Sequence, residues 1–330
     1  MQKKIVAMDI GFSAVKALAA GGQKALFPSI VGTPLMEKSF SLNQNGKVIS
    51  IDGRPAVPVG ETALSQAKYK AAPRNSDWVL GQVWETLFMT AVSEFVDAPT
   101  THLSVVTSLP VRNWAVYEAP LRNLYKNREI TFQRKGRMQR VIIDDFMVIT
   151  QPFGALLMRA LNTSGQIQDN VFATGNVGIV DIGGMTINML VSNHLATNEQ
   201  WTTSDELGLL RALDTVRDAI RDDYPRIRPE TQEVSQWVAE GSFNYIGKPI
   251  DMTSYVERYV YPVMSAIETK IDESWPEVGR LDAVLFAGGG SITLRPLIKP
   301  RLGNLFSQIH LGGRWDNARG SLNLANMEFG

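Results

Sequence analysis

Two short segments of this chain place an aspartate, glycines and hydroxyl side chains where they could bind a phosphate group. The first reads AMDIGFSAVK (residues 7–16) and the second reads IVDIGGMTINML (residues 179–190). Each is an apolar strand that ends in Asp-x-Gly, a sequence that brings backbone N–H groups and one carboxylate into the same small space. One such turn is compatible with an ordinary hairpin. Two turns, far apart in a chain long enough for two domains, favour a phosphate group that is bound from both sides.

In the first turn, Asp9, Gly11, Ser13 and Lys16 lie at positions i, i+2, i+4 and i+7. Glycine allows the backbone to approach an anion, the serine hydroxyl can donate a hydrogen bond, and the aspartate can orient water or hold a hydrated Mg²⁺. A tight hairpin with a buried aspartate explains these residues at least as well when they are considered alone.

In the second turn, Asp181, Gly183, Gly184 and Thr186 are interpreted as a repeat of this arrangement. Asn188 is expected on the same face as Thr186, because side chains alternate along a strand with a period of two. A hairpin is again the alternative, but the repeated spacing favours a ligand that both turns share.

A run of three glycines forms the third candidate element, in AGGGSITLRPLI (residues 287–298). It follows a predicted buried strand at 281–286 and precedes a helix that is predicted to begin near Leu294. Glycines in this place leave room for a flat ring or a phosphate close to the backbone. No Gly-Lys-Ser/Thr follows, so this is not a Walker loop. A flexible loop is the alternative explanation.

The composition predicts a cytoplasmic protein of ordinary charge. The chain has 330 residues, 44% of them hydrophobic, with 33 basic and 33 acidic side chains and no cysteine. The balanced charge predicts no direct nucleic-acid binding, and the base-rich segment 126–140 is interpreted as a solvated hairpin. No apolar run approaches the roughly 20 residues that a membrane span requires, so no membrane association is predicted.

Hydrophobic periodicity predicts strands that alternate with helices, twice over, which indicates an α/β protein built from two related halves. The predicted strands are 5–10, 15–19, 47–51, 102–109, 129–132, 140–148, a strand-turn-strand over 176–190 that 191–195 extends, and 281–286. The predicted helices are 78–96, 114–126, 151–161, 207–221, 229–240 and 254–271, the last interrupted at Pro262.

The order of these motifs resembles the actin-like ATPase superfamily. Within it, several stretches are similar to the ParM-type plasmid-segregation actins and to archaeal actin-like proteins. These stretches are PAVPVGETA (55–63), VVTSLPV (105–111), VITQPFGALL (148–157), DIGGMT (181–186), FAGGGS (286–291) and ANMEFG (325–330).

The resemblance implies an actin-like fold: two related α/β halves of the RNase H-like type, with a nucleotide cleft between them and a smaller subdomain inserted into each. Domain I would cover residues 1–155 with a subdomain at about 27–75. Domain II would cover 156–312 with a subdomain at about 205–280, and 313–330 would return to domain I.

The resemblance also implies ATP or ADP with Mg²⁺ as ligands. The residues expected to bind the nucleotide are Gly11, Ser13, Lys16, Gly183, Gly184, Thr186, Gly208, Gly288 and Gly289. Asp9 and Asp181 would hold the water shell of the Mg²⁺, and Gln151 would position the attacking water, so that Gln151, Asp181 and Asp9 form the catalytic set. A glutamine is a poor base, which predicts slow hydrolysis. Met185 departs from the family pattern, in which this position is often small or threonine.

The implied function is that of an ATPase that polymerises into nucleotide-dependent filaments for DNA or plasmid segregation or a related cytoskeletal role. The implied partners are further copies of the chain, with a DNA-bound adaptor protein as a further candidate. Two alternatives remain: a small-molecule kinase or phosphatase of the same superfamily, and a non-polymerising nucleotide-dependent adaptor. Adaptors of that kind often carry an amphipathic terminal helix, and neither terminus is predicted to form one.

Overall fold

The computed structural model describes residues 3–34, 46–73 and 76–330. The chain forms two compact units: unit 1 comprises Met1–Gln168 and Asn317–Gly330, and unit 2 comprises Asp169–Asp316. Part of the subdomain predicted at 27–75, namely 35–45 and 74–75, lies outside the described residues. The domain boundaries and inserted subdomains drawn from the resemblance stay predictions.

Unit 1 is built on one mixed sheet whose strand order is β3-β2-β1-β8-β10-β9-β5-β6 among the described residues. Strand β1 is antiparallel to β2 and parallel to β8, and β8 is parallel to β10. Because β1 lies between two neighbours, its sequence is a nearly continuous apolar run. The strands of this unit are β1 (Lys4–Ile10), β2 (Ala14–Ala19), β3 (Lys24–Pro28), β4 (Val31–Gly32), β5 (Val48–Ile51), β6 (Val57–Pro58), β7 (Lys70–Ala71), β8 (Thr100–Leu109), β9 (Arg128–Arg134) and β10 (Arg137–Thr150).

Helices pack against this sheet and bury apolar side chains there. In the second helix, Leu87, Phe88, Ala91 and Val92 recur at helical spacing and are fully buried. The helices are α1 (Glu61–Gln66), α2 (Gln82–Ser93), α3 (Val111–Tyr125) and α4 (Gln151–Ala160), with a 3₁₀ turn at Ser76–Leu80.

Unit 2 repeats the arrangement around a sheet of order β13-β12-β11-β16-β17. Strand β11 is antiparallel to β12 and parallel to β16, as β1 is to β2 and β8. The strands are β11 (Asn176–Ile182), β12 (Thr186–Asn193), β13 (Ala196–Glu206), β14 (Ser242–Tyr245), β15 (Lys248–Asp251), β16 (Ala283–Ala287) and β17 (Ile309–Leu311). The helices are α5 (Asn170–Thr174), α6 (Leu209–Asp223), α7 (Thr231–Glu240), α8 (Thr253–Tyr255), α9 (Tyr261–Ser274), α10 (Gly288–Thr293) and α11 (Arg295–Leu302). The prediction of an α/β protein with two related halves is confirmed.

The chain ends in α12 (Asp316–Phe329), whose residues from Asn317 onward belong to unit 1. No helix was predicted over these residues from the sequence. The sequence of α12, DNARGSLNLANMEF, is poor in large apolar side chains, yet Ala318, Gly320 and Ala325 are buried. Small residues on this face allow a close helix crossing, which hydrophobic periodicity does not reveal.

Other elements differ from prediction at points where glycine or proline acts. The helix predicted over 78–96 is divided at Gly81 into the 3₁₀ turn and α2, and the helix predicted over 254–271 contains a π-helical segment, Val256–Val260, just before Pro262. Strand β13 was missed because its exposed edge is almost entirely polar. No helix within the described ranges is both long and apolar enough to cross a membrane.

Glu94 ties three separate parts of unit 1 together. This residue follows α2, and its carboxylate accepts from Lys47 Nζ at 2.5 Å and from Arg134 Nη2 at 2.7 Å. Burial acts to raise the pKa of Glu94, but the hydrogen bonds and charges of Lys47 and Arg134 outweigh it and hold the pKa below its ordinary value of 4.5. A carboxylate whose pKa is depressed on folding stabilises the fold above its unfolded pKa and loses that effect as the pH falls through the folded value.

We expect Glu94→Gln to lower the free energy of unfolding by about 1–2 kcal/mol at pH 7, because two cationic donors lose their charged acceptor. The difference from the original chain should shrink below pH 4.5, where the unfolded-state carboxylate is already protonated. Calorimetric melting at several pH values measures both effects. Glu129→Gln is the control, because its ion pair with Arg140 is exposed and should contribute little. An equal loss at pH 3 and pH 7 would contradict the assignment.

Candidate functional site

The first Asp-x-Gly turn is a tight hairpin between β1 and β2. Asp9 lies directly opposite Lys16, and Gly11 N donates to Ala14 O at 3.1 Å. The loop itself is therefore only Phe12 and Ser13. This geometry places the carboxylate at the carboxyl end of a buried strand and the loop backbone just beyond it.

Asp9 is the centre of a buried polar network in unit 1. Lys16 Nζ donates to Asp9 Oδ2 at 2.8 Å, Gln151 Nε2 donates to Oδ1 at 2.8 Å, and Ser108 Oγ lies 3.4 Å from Oδ1. Asp9 is 1% exposed and Gln151 is 7% exposed. A charge buried to this extent requires both a counter-charge and hydrogen-bond donors, which these residues supply. The structure thus brings together three residues that the sequence singled out: Asp9, Lys16 and Gln151.

The strand pairing explains why these side chains converge. Because β8 runs parallel to β1, Ser108 lies opposite Asp9 at the same edge of the sheet. Gln151 is the first residue of α4 and follows immediately after β10, which is the next parallel strand. Ser108 was not among the predicted site residues. Its signal in the sequence was a hydroxyl residue at the end of an apolar strand, just before Pro110.

The loop of the first turn is fixed by contacts with Ser29 and Trp78, while its Ser13 side chain is exposed. Ser29 Oγ donates to Gly11 O at 2.6 Å, Ser29 N donates to Ser13 O at 3.1 Å, and the Phe12 ring packs on Trp78 with 5.9 Å between centroids. Ser13 is exposed. A turn fixed in this way presents its hydroxyl to a ligand without first having to become ordered.

The second turn has the same backbone but different side chains. Asp181 lies opposite Asn188, and Gly183 N donates to Thr186 O at 2.8 Å, so that the loop is Gly184 and Met185. The register makes Asn188 the counterpart of Lys16 and Met185 the counterpart of Ser13. Thr186 therefore corresponds to Ala14, and the interpretation that it repeats the role of Ser13 was wrong by one residue. The two loops have the same length, and the mismatch follows from counting: Ser13 is four residues after Asp9, whereas Thr186 is five residues after Asp181.

The start of α6 is fixed against the second turn. Leu207 N donates to Met185 O at 2.7 Å, and Leu210 N donates to Gly184 O at 2.9 Å. Gly208 immediately precedes α6 and is exposed. A Cβ on Gly208 would meet no atom within 4 Å. The structure therefore brings Gly208 close to Gly184. The positive end of the 15-residue helix α6 lies at the same place, which favours an anionic ligand.

The glycine run contributes backbone to the Asp181 carboxylate. Gly288 has φ of +83°, and a Cβ there would lie 2.4 Å from Asp181 Oδ1 and 2.5 Å from Ile182 O. A Cβ on Gly290 would lie 2.4 Å from Ile182 Cγ2, whereas Gly289 faces open space. The glycines form the first turn of α10, which was not predicted, whereas the helix predicted to begin near Leu294 is α11, which begins at Arg295. Tertiary packing against Ile182 outweighs the low helix propensity of glycine here.

Helix α12 supports the helix that carries Gln151. A Cβ on Gly154 would lie 2.7 Å from Asn317 O, and one on Gly320 would lie 1.7 Å from Gly154 O. The two helix backbones therefore touch three residues after Gln151. Asn323 Nδ2 adds a hydrogen bond to Leu161 O at 2.8 Å. Gly154 and Gly320 were missed as contributors to the site because they act through packing and carry no reactive group.

Within each unit, the turn carries a carboxylate and backbone N–H groups of the kind that hydrated Mg²⁺ and phosphate oxygens can use. Among the described residues, no group of three or more His, Cys, Asp and Glu side chains could hold a metal by itself. Mg²⁺ does not require such a group, because it usually keeps several waters and binds one or two carboxylates together with substrate phosphates. The Gly288 backbone lies directly against Asp181 Oδ1, whereas a Cβ on the next residue, Gly289, would meet nothing within 4 Å, so Gly289 is the position of this turn that is open to a ligand.

Comparison with known proteins places the chain in a family. The family profile described as actin like proteins N terminal domain matches residues 7–154, and that described as archaeal actin homologue MreB-like, C-terminal, matches residues 179–300. No sequence of a curated protein matches the chain. The chain belongs to the actin-like proteins, as the resemblance of its motifs implied.

Solved structures share the fold at low sequence identity. The archaeal actin homolog Ta0583 has a TM-score of 0.79 at 17% identity, with 98% of each chain covered. Its complex with ADP has a TM-score of 0.74 at 18% identity, with 97% of this chain and 98% of that chain covered. A 15-stranded ParM filament from Clostridium botulinum has a TM-score of 0.74 at 20% identity, with 98% and 99% covered. The predicted actin-like fold is confirmed.

We expect Gly288→Ala and Gly289→Ala to behave differently although they are neighbours. Gly288→Ala should lower the stability of unit 2 by about 2–4 kcal/mol, because alanine is strained at this φ and its Cβ clashes with Asp181. Gly289→Ala should change stability by less than about 1 kcal/mol. Differential scanning calorimetry without nucleotide measures both. Equal melting temperatures for the two variants would contradict the described approach of α10 to Asp181.

Proposed function

We propose that this chain is a slow ATPase that binds Mg-ATP through the Asp-x-Gly turns of both units and forms filaments in a nucleotide-dependent way. The observation that carries the proposal is the buried network of Asp9, Lys16 and Gln151, together with the second carboxylate turn at Asp181. Membership of the actin-like proteins supports it, as do the ADP complex of Ta0583 and the ParM filament among structures of the same fold.

Bound Mg-ATP would supply a phosphoanhydride bond and a cation that neutralises the charge on the phosphates. Asp9 and Asp181 would accept hydrogen bonds from the water shell of the cation. The exposed hydroxyl of Ser13 and the backbone of Gly11, Gly183 and Gly184 would bind phosphate oxygens, with Thr186 beside them. Gly208, Gly288 and Gly289 would allow the nucleotide to approach the backbone closely. Hydrolysis of this kind depends on positioning and electrostatics more than on covalent chemistry.

Gln151 would position the attacking water. Its Nε2 donates to Asp9 Oδ1, which fixes the plane of the amide and thereby the direction in which Oε1 accepts. A water that donates to Oε1 is oriented but is not deprotonated by it, because an amide is not a base at neutral pH. Slow turnover follows from this chemistry. Lys16, held on Asp9, would add positive charge next to the phosphates.

Filament formation would couple this site to a cellular role. Head-to-tail contacts that do not close into a ring generate open filaments. We propose segregation of DNA or of a plasmid as that role, with a DNA-bound adaptor protein as the link to the cargo. Cytoplasmic action is part of this proposal.

Sedimentation with different nucleotides tests the proposal directly. We expect the full chain to scatter light and pellet above a critical concentration with Mg-ATP, to do so less with Mg-ADP, and to remain in the supernatant with EDTA. The reason is that, in this proposal, both turns would contact Mg-ATP. Equal pelleting in all three conditions, or none at high protein concentration, would contradict nucleotide-dependent assembly.

Two site variants should separate binding from hydrolysis. We expect Gln151→Ala to slow ATP hydrolysis about 10- to 100-fold, because the amide oxygen assigned to the attacking water is lost; nucleotide affinity should change less, because Lys16 and Ser108 still contact Asp9. Asp181→Asn should instead weaken Mg-ATP binding about tenfold or more, because the water shell of the cation loses a charged acceptor. Phosphate release and calorimetric titration measure the two quantities.

Gln236→Ala is the matched control for Gln151→Ala, because Gln236 is an exposed glutamine on α7. It should change neither quantity. If Gln151→Ala hydrolyses ATP as fast as the original chain, the assignment of Gln151 is wrong.

A further inference from the structure

The side chain of Asn188 lies across the sheet of unit 2 from the Asp181 carboxylate. Strand β12 lies between β13 and β11, and the register places Ser204, Asn188 and Asp181 in one row across these strands. Side chains of directly opposite residues project from the same face, with about 4.5–5.5 Å between their Cβ atoms. Asn188 is 0% exposed and Asp181 is 3% exposed. The amide and the carboxylate are therefore buried neighbours.

The contact with Ser204 determines which way the Asn188 amide faces. Ser204 Oγ donates to Asn188 Oδ1 at 2.8 Å. The oxygen and the nitrogen of an amide lie on opposite sides of the carbon that carries them, so an oxygen directed towards β13 leaves Nδ2 directed towards β11. Nδ2 is a donor, and an ionised carboxylate such as that of Asp181 only accepts. The two ends of the amide therefore match its two neighbours in the row.

The reverse orientation of this amide would be unfavourable. It would direct Oδ1 of Asn188 at the Asp181 carboxylate, so that two acceptors faced each other in a buried place. The hydroxyl of Ser204 favours the observed orientation, because it supplies a donor on the side of β13. Ser204 thus acts on Asp181 through the amide between them.

Backbone approaches Asp181 from the opposite side. Strand β16 pairs with β11 on the side away from β12 and places Ala287 opposite Asp181. A Cβ on Gly288 would lie 2.4 Å from Asp181 Oδ1, so the backbone of Gly288 already lies close to that oxygen. The carboxylate is therefore enclosed from both neighbouring strands, by Asn188 and by Gly288.

Unit 1 has a lysine at the position that corresponds to Asn188. Lys16 lies opposite Asp9 and forms an ion pair with its Oδ2 at 2.8 Å. A lysine orients a carboxylate and also cancels its charge, whereas an amide orients it and adds no charge. An ammonium group beside a carboxylate also repels a second cation. The arrangement with the amide is therefore the better one for attracting hydrated Mg²⁺.

We propose that Asn188, oriented by Ser204, is a positioning residue that directs the Asp181 carboxylate at the hydrated Mg²⁺ of the nucleotide without neutralising it. The inference rests on the proposed binding of Mg-ATP and adds Asn188 and Ser204 to that site. Both residues act through Asp181.

Replacement of Asn188 by lysine tests the role of charge. The measured quantity is the magnesium gain, defined as the dissociation constant of ATP in EDTA divided by that in saturating Mg²⁺, from calorimetric titration of the full chain. Asn188→Lys should reduce the magnesium gain about tenfold or more, because the new ammonium group would cancel the charge of Asp181, while the affinity for ATP in EDTA should stay equal or rise.

Asn193→Lys is the matched control, because it adds the same charge at the other, exposed end of β12. It should leave the magnesium gain unchanged. If Asn188→Lys also has the magnesium gain of the original chain, the inference is wrong.

Replacement of Ser204 tests the orientation of the amide without a change of charge, and it holds even where lysine at position 188 prevents folding. Ser204→Ala should reduce the magnesium gain about threefold, because Asn188 Oδ1 loses the donor that fixes it. Ser204→Thr keeps a hydroxyl at this position and should restore the gain. Thr197→Ala is the control, because it removes a hydroxyl from the other end of β13. A Ser204→Ala variant that melts at a lower temperature but keeps its magnesium gain would show a purely structural role and overturn the inference.

The same titrations separate failure of the inference from failure of the proposed function. If the original chain binds ATP more tightly with Mg²⁺ and the variants at 188 and 204 do so to the same extent, the role of Asn188 is overturned and the proposed function stands. If the original chain binds ATP equally in Mg²⁺ and in EDTA, or does not bind it, both are overturned. A reduced gain in these variants, with rescue by Ser204→Thr and no change in the controls, would support both.

Discussion

The burial of the Asp9 carboxylate is the constraint on which the organisation of unit 1 depends. A carboxylate that is 1% exposed is tolerated only where a counter-charge and donors are already in place. Lys16 comes from the adjacent antiparallel strand, Ser108 from the adjacent parallel strand and Gln151 from the helix after the next strand. One charge therefore fixes the mutual positions of three strand ends and a helix start. The same contacts keep Gln151 oriented before any ligand arrives.

Unit 2 also buries an aspartate, Asp181, but the residue opposite it in the strand pair is not a cation. The register places neutral Asn188 where unit 1 has Lys16, and Asn188 Oδ1 in turn accepts from Ser204 Oγ at 2.8 Å. Directly after the neighbouring parallel strand β16, the backbone of Gly288 lies against Asp181. In unit 1, the side chains of Ser108 and Gln151 contact the corresponding Asp9. Unit 1 therefore holds a polar side chain that can act on water, whereas unit 2 mainly offers backbone and one carboxylate. This asymmetry supports assigning water positioning to Gln151 and cation contact to Asp181.

The sequence was sufficient to predict the strands and turns around Asp9 and Asp181, because long apolar runs and glycines have clear local consequences. Continuous apolar runs gave the strands around Asp9 and Asp181, and the end of an apolar strand followed by glycine gave both turns. Sequence reasoning failed at two places. Thr186 was matched to Ser13, although it lies one residue further from its aspartate and pairs as Ala14 does. The glycines after β16 are helical because Gly290 packs against Ile182, which the sequence does not show. The roles of the site residues in nucleotide chemistry stay predictions.

Helix α12, which was not predicted from the sequence, affects the site because it packs against α4. Its buried face is made of small residues, so it gives almost no periodic signal, yet the contact between Gly320 and Gly154 sets how closely it lies against α4. Because Gln151 begins α4 and is bonded to Asp9, a shift of α4 would move the amide relative to the carboxylate. The position of the Gln151 amide therefore depends on two glycines, Gly154 and Gly320, that carry no side chain. A search for reactive residues cannot find such positions, since their contribution is the absence of a side chain.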